Sequence, residues 1–417
     1  MTSPTLPTTP LPPATTTAVV TGIGVVAPNG CGTEAWWDSV LHGRSGIRPV
    51  TLFDARAYPA RLAGEVPGFD PSVHTPGRLM PQTDRVTRLS LHAAAEALSD
   101  ARIDPDALPE YAAGVVTSSS AGGYEFGQRE LQALWSKGSQ YVSVYQSFAW
   151  FYAVNTGQIS IRHRLRGPSG VVVSDQAGGL DAVGQARRQL RKGTSVLISG
   201  GVDSALCPWG WTAHLADGGM NTGDRPETAY LPFSADASGY VAGEGGALLV
   251  LEDAAAARAR GARVYGAVTG YAATFDPAPG TGGGSALHRA AEGALLDAGI
   301  GADQVDLVFA DAAGVPDADR SEADAIRRVF GPYGVPVTAP KTMTGRLAAG
   351  GAALDLAAAL CALRDQIVPP TVHTTAAPEH TLDLVTGGPR DARLRHILVL
   401  ARGRGGFNAA AVVSALD

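Results

Sequence analysis

The residue with most to say about chemistry is Gln176, because of the place it occupies. It lies in Val171–Ala182, VVVSDQAGGLDA, where a β-branched run meets a polar break and then small residues opening the amphipathic stretch Leu180–Leu190. Strand, sharp turn and helix in that order build a nucleophile elbow, with its tip residue exposed at a helix N-terminus. Such a tip is expected to carry Cys or Ser. An amide cannot be ionised into a nucleophile, so the segment has the shape for covalent chemistry without the atom to perform it. Downstream, APKTMTGR (Ala339–Arg346) sets Lys341 and Arg346 at a second strand–loop–helix junction with small residues after it.

With Ser195–Ala205, SVLISGGVDSA, the elbow segment resembles the active-site region of the β-ketoacyl synthases, Gln176 standing where their acylated Cys would be. Gln at that place marks the chain length factors, or ketosynthase β subunits, of type II aromatic polyketide synthases. APKTMTG resembles the family's Lys-containing strand and loop, Gly403–Asn408 (GRGGFN) its C-terminal glycine hairpin, and Ser147–His163 (SFAWFYAVNTGQISIRH) the segment before the elbow. The resemblance runs from Val19 to the C-terminus. It implies an α/β thiolase fold, a five-layer α-β-α-β-α arrangement of two similar halves, here residues 18–258 and 259–417.

The same resemblance locates the rest of the catalytic triad. Active members carry a His in a loop reading A-H-G-x-G-T; the matching Ala310–Val315, ADAAGV, has Asp311 there. They carry a second His directly after the Lys motif, where this chain reads KTMTGR and has Arg346. Cys-His-His has become Gln-Asp-Arg. Arg cannot release a proton near neutrality and Asp is normally ionised, so neither replaces an imidazole. None of the three cysteines or nine histidines falls in these slots, so condensation at this chain's own site is excluded. If the family geometry is kept, Gln176, Asp311, Lys341 and Arg346 converge, Glu322 matches the glutamate that pairs with the Lys, and Asp311 and Arg346 form an ion pair in the vacated pocket. Gln176 is open to two uses. Its amide could support decarboxylation of a malonyl thioester that primes a partner, or fill the Cys-sized hole and cap backbone groups. With both imidazoles missing, the usual enolate stabilisers are gone.

What the resemblance implies instead is a non-condensing subunit in a heterodimer with a ketosynthase α that keeps Cys-His-His, extending malonyl units borne on the phosphopantetheine of an acyl carrier protein. No cofactor or metal is expected in this chain. A poly-β-ketone grows from the partner's Cys into an interface tunnel whose far end the chain length factor closes, thereby setting chain length. The matching stretch is Gly122–Trp135, GGYEFGQRELQALW, with Tyr124, Gly127 and Leu131 at i, i+3 and i+7 on one helical face. Gly in a helix interior costs about 1 kcal/mol relative to Ala, which suggests a steric reason for Gly127. Two small gate positions point to a product of about ten or more ketide units, by family analogy. The run Phe148–Tyr152 is expected to be a core or dimer-packing cluster, and Trp209 and Trp211 to be packing residues and not ligand contacts.

These residues must be carried by short β-branched runs alternating with Ala-rich helical stretches. Strands are expected at Ala18–Val26, Ala113–Ser118, Ser195–Gly200 and Gly246–Leu251, and again at Val264–Tyr271, Val305–Ala310, Val335–Thr338, His396–Ala401 and Asn408–Ser414. Helices are expected at Thr87–Ser99, Ser285–Ala298, Ser321–Phe330 and Gly350–Arg364, with Glu252–Arg263 as a hinge helix. Alternating βα units imply a mainly parallel sheet covered on both faces. At 417 residues two fused halves with ample core are expected. A net charge of −6 without a Lys/Arg cluster argues against nucleic acid, and no apolar run reaches membrane-spanning length. Three cysteines, far apart, fit a reducing cytoplasm rather than a disulfide framework. Residues 1–17 read as a disordered Pro/Thr tail rather than a signal peptide, and Pro279–Gly284, PGTGGG, as a flexible surface loop without the Gly-Lys-Ser/Thr ending of a phosphate cradle.

Overall fold

Strand β1 (Ala18–Ala27), AVVTGIGVVA, is buried at every position. A strand covered on both faces has no reason to alternate, which is why its sequence shows no polar period. The computed structural model describes residues 16–278 and 285–416. Nearly all of the expected tail and the whole PGTGGG loop lie outside the described residues.

Around β1 the first half assembles β2 (Ala113–Ser118), β3 (Ser169–Val172), β4 (Val196–Asp203) and β5 (Gly245–Asp253) in the order β3-β2-β4-β5-β1. The second half places β6 (Gly266–Phe275), β7 (Leu307–Phe309), β8 (Pro336–Thr338), β9 (His396–Gly403) and β10 (Phe407–Ser414) in the order β8-β7-β9-β10-β6. The two orders are the same permutation, and the strand senses agree as well. In each half the inner strand runs parallel to both its neighbours, and the last two pairings are antiparallel. The halves join where Val19 and Val20 of β1 pair with Ala267 and Gly266 of β6. The expected mainly parallel sheet is thus corrected to a mixed one: the closing strands β5 and β10 return beside their predecessors, across a crossover in the first half and a tight hairpin in the second.

The helices that bear on the site are α1 (Arg85–Asp100), α2 (Tyr124–Lys137), α3 (Val154–His163), α4 (Gly178–Arg191), α5 (Pro208–Ala216), α6 (Leu287–Ala298), α7 (Pro316–Phe330) and α8 (Ala349–Asp365). α8 is apolar but for Asp355 and buried from Ala349 to Leu363, as a helix enclosed between two layers must be. It lies against α4, and the contact is close enough that a Cβ at Gly179 would sit 2.6 Å from the Ala353 nitrogen. On the outer side α1 packs on β1, where a Cβ at Gly22 would lie 2.2 Å from the Ala97 carbonyl. In the second half α6 packs on β6 in the same way, with Gly270 2.1 Å from the Ala294 carbonyl by the same measure. Outer helices, sheet, central α4 and α8, sheet, outer helices: this is the five-layer thiolase arrangement.

The expected hinge helix is shorter than its charge pattern suggested. Only Ala254–Ala259 is helical, because Glu252 and Asp253 belong to β5. Buried Glu252 takes the Arg260 guanidinium through both its oxygens, and Asp253 caps the helix by accepting from the Ala255 and Ala256 N–H groups. Of the two places open to the aromatic run, the core is not the one it takes: Phe148, Trp150, Phe151 and Tyr152 are all exposed, and only Ala149 among them is buried.

Candidate functional site

Leaving β3, the chain turns at Asp175, whose φ of 51° is in the left-handed region. Gln176 follows in a short 3₁₀ turn, Asp175–Ala177, that runs into α4. The glycine hairpin between β9 and β10 clamps this turn. The Asp175 carboxylate accepts the Arg404 N–H at 3.0 Å, and a Cβ at Gly403 would lie 2.2 Å from the Ser174 carbonyl. The strained residue is therefore Asp175, one place before the expected tip, and Gln176 is not an exposed tip: it is 7% accessible. With its NH₂ turned to the carbonyl, its amide donates to Ala348 O at 3.1 Å and accepts from Ala348 N at 3.0 Å. Ala348 has φ 48° and ψ −129°, an unfavourable conformation for a residue with a Cβ, just ahead of α8. Gly351 in the first turn of α8 leaves room for Gln176, since a Cβ there would be 2.6 Å from its side-chain amide. Gln176 thus ties the start of one central helix to the start of the other.

Asp311 and Arg346 meet as expected. The guanidinium Nη2 lies 3.0 Å from Oδ2 and 3.2 Å from Oδ1, and Nη1 donates to the Asp311 carbonyl at 3.0 Å. The Arg402 N–H donates to Oδ1 at 3.0 Å. Both side chains are buried. Burial by itself would raise the Asp311 carboxyl, but the Arg346 and Lys341 cations outweigh it and hold Asp311 below the usual carboxylate range. Burial likewise works against the Arg346 cation, and Asp311 reverses that, so Arg346 is raised. The pair stays ionised.

Glu322 departs from its expected role. It accepts the backbone N–H groups of Asp311 at 2.6 Å and Ala312 at 2.8 Å, so it shapes the loop rather than pairing with Lys341. Lys341 pairs with Asp355 of α8 at 2.6 Å. The reason is topological: α7 runs behind the Asp311 loop, and α8 passes beside Lys341. Burial, and then the charge of Asp311, push Glu322 upward. Asp319, one turn earlier on α7, holds the loop's far end by accepting from Gly314 N and Phe233 N, both at 2.9 Å.

Gln176, Asp311 and Arg346 line one cavity of about 220 Å³, shared with Asp175, Arg404 and His214. His214 comes from α5, and no motif in the sequence announced it. Burial, and then Arg404, push its imidazole down to about 4, so it is neutral at pH 7. No thiolate is available to this cavity. None of the cysteines lines it, and burial pushes Cys207 up to about 11 and Cys361 up to about 12.

The three expected gate residues lie on α2, which begins at Tyr124. Gly127 is in the helix interior rather than at its end. A Cβ there would be 2.9 Å from Trp209 Cζ3, so the missing side chain makes room for that ring. Trp209 also packs against Tyr124, ring centroids 4.8 Å apart, and its backbone N–H donates to Gln128 Oε1 at 2.6 Å. Trp211 is the packing residue expected, fully buried with Nε1 donating to the Ala60 carbonyl. Trp209 packs too, on Tyr124 and over Gly127, and its remaining surface lines an open cavity of about 700 Å³ with Leu131 and Trp135. Trp135 at its rim is 83% accessible. Among the described residues no helix is long and apolar enough to cross a membrane.

The chain matches the family model described as the β-ketoacyl synthase N-terminal domain over residues 16–257, and the C-terminal domain model over 265–375. It is 58% identical to the actinorhodin polyketide putative β-ketoacyl synthase 2 of Streptomyces coelicolor, covering 95% of this chain and 98% of that one. It is 57% identical to the tetracenomycin polyketide synthase ketoacyl synthase beta subunit of Streptomyces glaucescens, over 95% and 97%. Among solved structures, the ishigamide ketosynthase/chain length factor superposes with a TM-score of 0.88 at 28% identity, over 97% of this chain and 100% of that one.

Proposed function

The chain belongs to the β-ketoacyl synthase family, in its ketosynthase β branch, and from that premise we propose how it acts: as a non-condensing chain length factor. In this reading it pairs with a Cys-containing ketosynthase α, whose substrates are malonyl units on an acyl carrier protein, and closes the tunnel into which the partner's poly-β-ketone grows. The observation that carries the reading is the contrast between two places in one chain. The condensing site is closed by Gln176 on Ala348 and by the Asp311–Arg346 pair. On α2, Leu131 and Trp135 stand uncovered with Trp209 beside an open cavity, as anchors of an interface are before its partner arrives.

The gate is Tyr124, Gly127, Leu131 and, added by geometry, Trp209. Because Trp209 occupies the space above Gly127, the room for a long product comes from Leu131 rather than from the glycine. A product of about ten or more ketide units remains the family expectation. Decarboxylation by Gln176 has less to support it, since both ends of the amide are already used on Ala348.

Co-expression with a ketosynthase α and carrier protein tests this. A 1:1 complex by native mass is expected, with Leu131→Trp shortening the product and Gln176→Ala leaving turnover within a few-fold. A homodimer indifferent to the partner, or malonyl decarboxylation lost in Gln176→Ala, would turn the assignment toward the priming enzyme.

A further inference from the structure

Apart from the remnant site and the gate, a cavity of about 400 Å³ opens among the N-terminal ends of α1, α2 and α5. Arg85 and Arg88 enter it from α1 and Arg129 from α2, with Phe53 and Phe69 among its walls. Cations at the start of a helix work against its dipole, so two of them on α1 call for negative charge nearby.

The three guanidiniums are answered unequally. Arg85 donates from Nε and Nη2 to the two oxygens of buried Glu244, at 2.7 and 2.6 Å. Arg129 donates from Nε to Glu130 at 3.3 Å and lies over the Phe126 ring. Arg88 contacts no carboxylate among the described residues. Its Nε donates to the Thr83 hydroxyl at 3.2 Å, and its Nη2 to the Met80 and Thr83 carbonyls at 2.9 and 2.6 Å, all of them neutral acceptors. Its Nη1 keeps both N–H groups without an acceptor among the described residues, as do both Nη groups of Arg129. Burial works against the Arg88 cation; the charges of Glu125 and Asp84 oppose that, Arg129 and Arg85 add to it, and the balance is downward. Glu125 is exposed and makes no ion pair among the described residues, so water screens it. The surplus positive charge in the cavity is therefore that of Arg88, which suits a monoanion.

The walls set the rest of the ligand. Phe53 packs edge-on against Trp211, ring centroids 5.6 Å apart, and Phe69 stacks on His74 at 5.7 Å. Both rings are held by a neighbour yet only half-buried, which leaves apolar surface for the cavity. The volume is within the usual range of small-molecule sites.

We propose that this cavity binds a small carboxylate with a flat apolar body, its oxygens taken by Arg88 Nη1 and the Arg129 Nη groups and its body laid against Phe53 and Phe69. Charge-assisted bonds of this kind are the strong ones, and the guanidinium plane matches that of a carboxylate. The site stands apart from the chain length factor reading and does not depend on it.

Equilibrium dialysis of the heterodimer against labelled benzoate and labelled inorganic phosphate tests this, with assembly of every variant checked by native mass. Benzoate should bind saturably and more tightly than phosphate, which brings more charge and no apolar body. Arg88→Lys should weaken benzoate by about tenfold or more, and exposed Arg129→Gln should weaken it in the same direction. Glu125→Gln should tighten it by about twofold, because a like charge is removed. If Arg88→Lys does not assemble, the two exposed variants carry the test through their opposite signs. No saturable binding of benzoate, or phosphate bound more tightly than benzoate, would overturn the site. So would binding that none of these variants alters, since the benzoate would then lie elsewhere in the complex. If no heterodimer forms, the chain length factor reading fails, and the same titration of the full chain alone still decides the site.

Discussion

At Asp311 and Arg346 two charges have replaced two imidazoles in a buried place, and their energetics differ from those of surface ions. Each side chain has been taken out of water, and their attraction with the Arg402 N–H offsets that loss only while both are present. Removing one partner leaves an uncompensated buried charge. Arg346→Leu should therefore destabilise the complex by about 3–5 kcal/mol, and Asp311→Leu in the same chain should recover much of it; thermal denaturation of the two variants checks this. Asp203 gives a pH signature. Burial pushes it up to about 6 in the fold, against about 3.9 when unfolded. A raised carboxyl is protonated in both states below pH 4, loses stability as the unfolded chain ionises, and contributes nothing further above pH 6. Replacing it by Asn removes that loss. The melting temperature of Asp203→Asn minus that of wild type should rise between pH 4 and 6 and level off above; a flat difference across that window would contradict the assignment.

Among the elements, α4 and α8 decide whether the site exists. They begin just after Gln176 and Ala348, so their mutual approach sets the distance the glutamine amide must span. Small residues permit that approach. A Cβ at Gly179 would lie 2.6 Å from Ala353 N and 2.9 Å from Ala349 O, which are backbone atoms of α8 and cannot rotate away. Gly179→Ala should cost about 1–3 kcal/mol by overpacking and loosen the Gln176 contact. Hydrogen exchange at the Ala348 amide would register this as reduced protection, and unchanged protection would argue that the helices can separate without disturbing the turn.

The molecule as a whole is a repeated half with unequal faces. The two halves of the sheet follow one permutation and bury the central helices between them, whereas α2 and α3 leave Trp135 and Ile161 in the open. In the chain length factor reading the partner subunit covers them. Ile161→Asp or Trp135→Asp should weaken the heterodimer by about tenfold or more while the chain keeps its fold by circular dichroism. Equal affinity would place the interface on another face.

The sequence by itself determined what the chain lacks and which architecture it adopts. Gln176, Asp311 and Arg346 are residue types, and a missing thiolate or imidazole is visible without coordinates. Strand and helix positions followed from runs whose burial is uniform along the element, such as β1 and α8. The tertiary structure alone decided which groups face one another. Lys341 meets Asp355 rather than Glu322, and His214 enters the cavity from α5. Gln176 is buried on Ala348, and Trp209 fills the space above Gly127. In most of these cases the partners lie far apart in the chain, and even Lys341 and Asp355 sit on different elements, so their meeting depends on how whole helices pack. Local residue order carries no record of that, because periodicity reports which face of an element is buried and not what buries it.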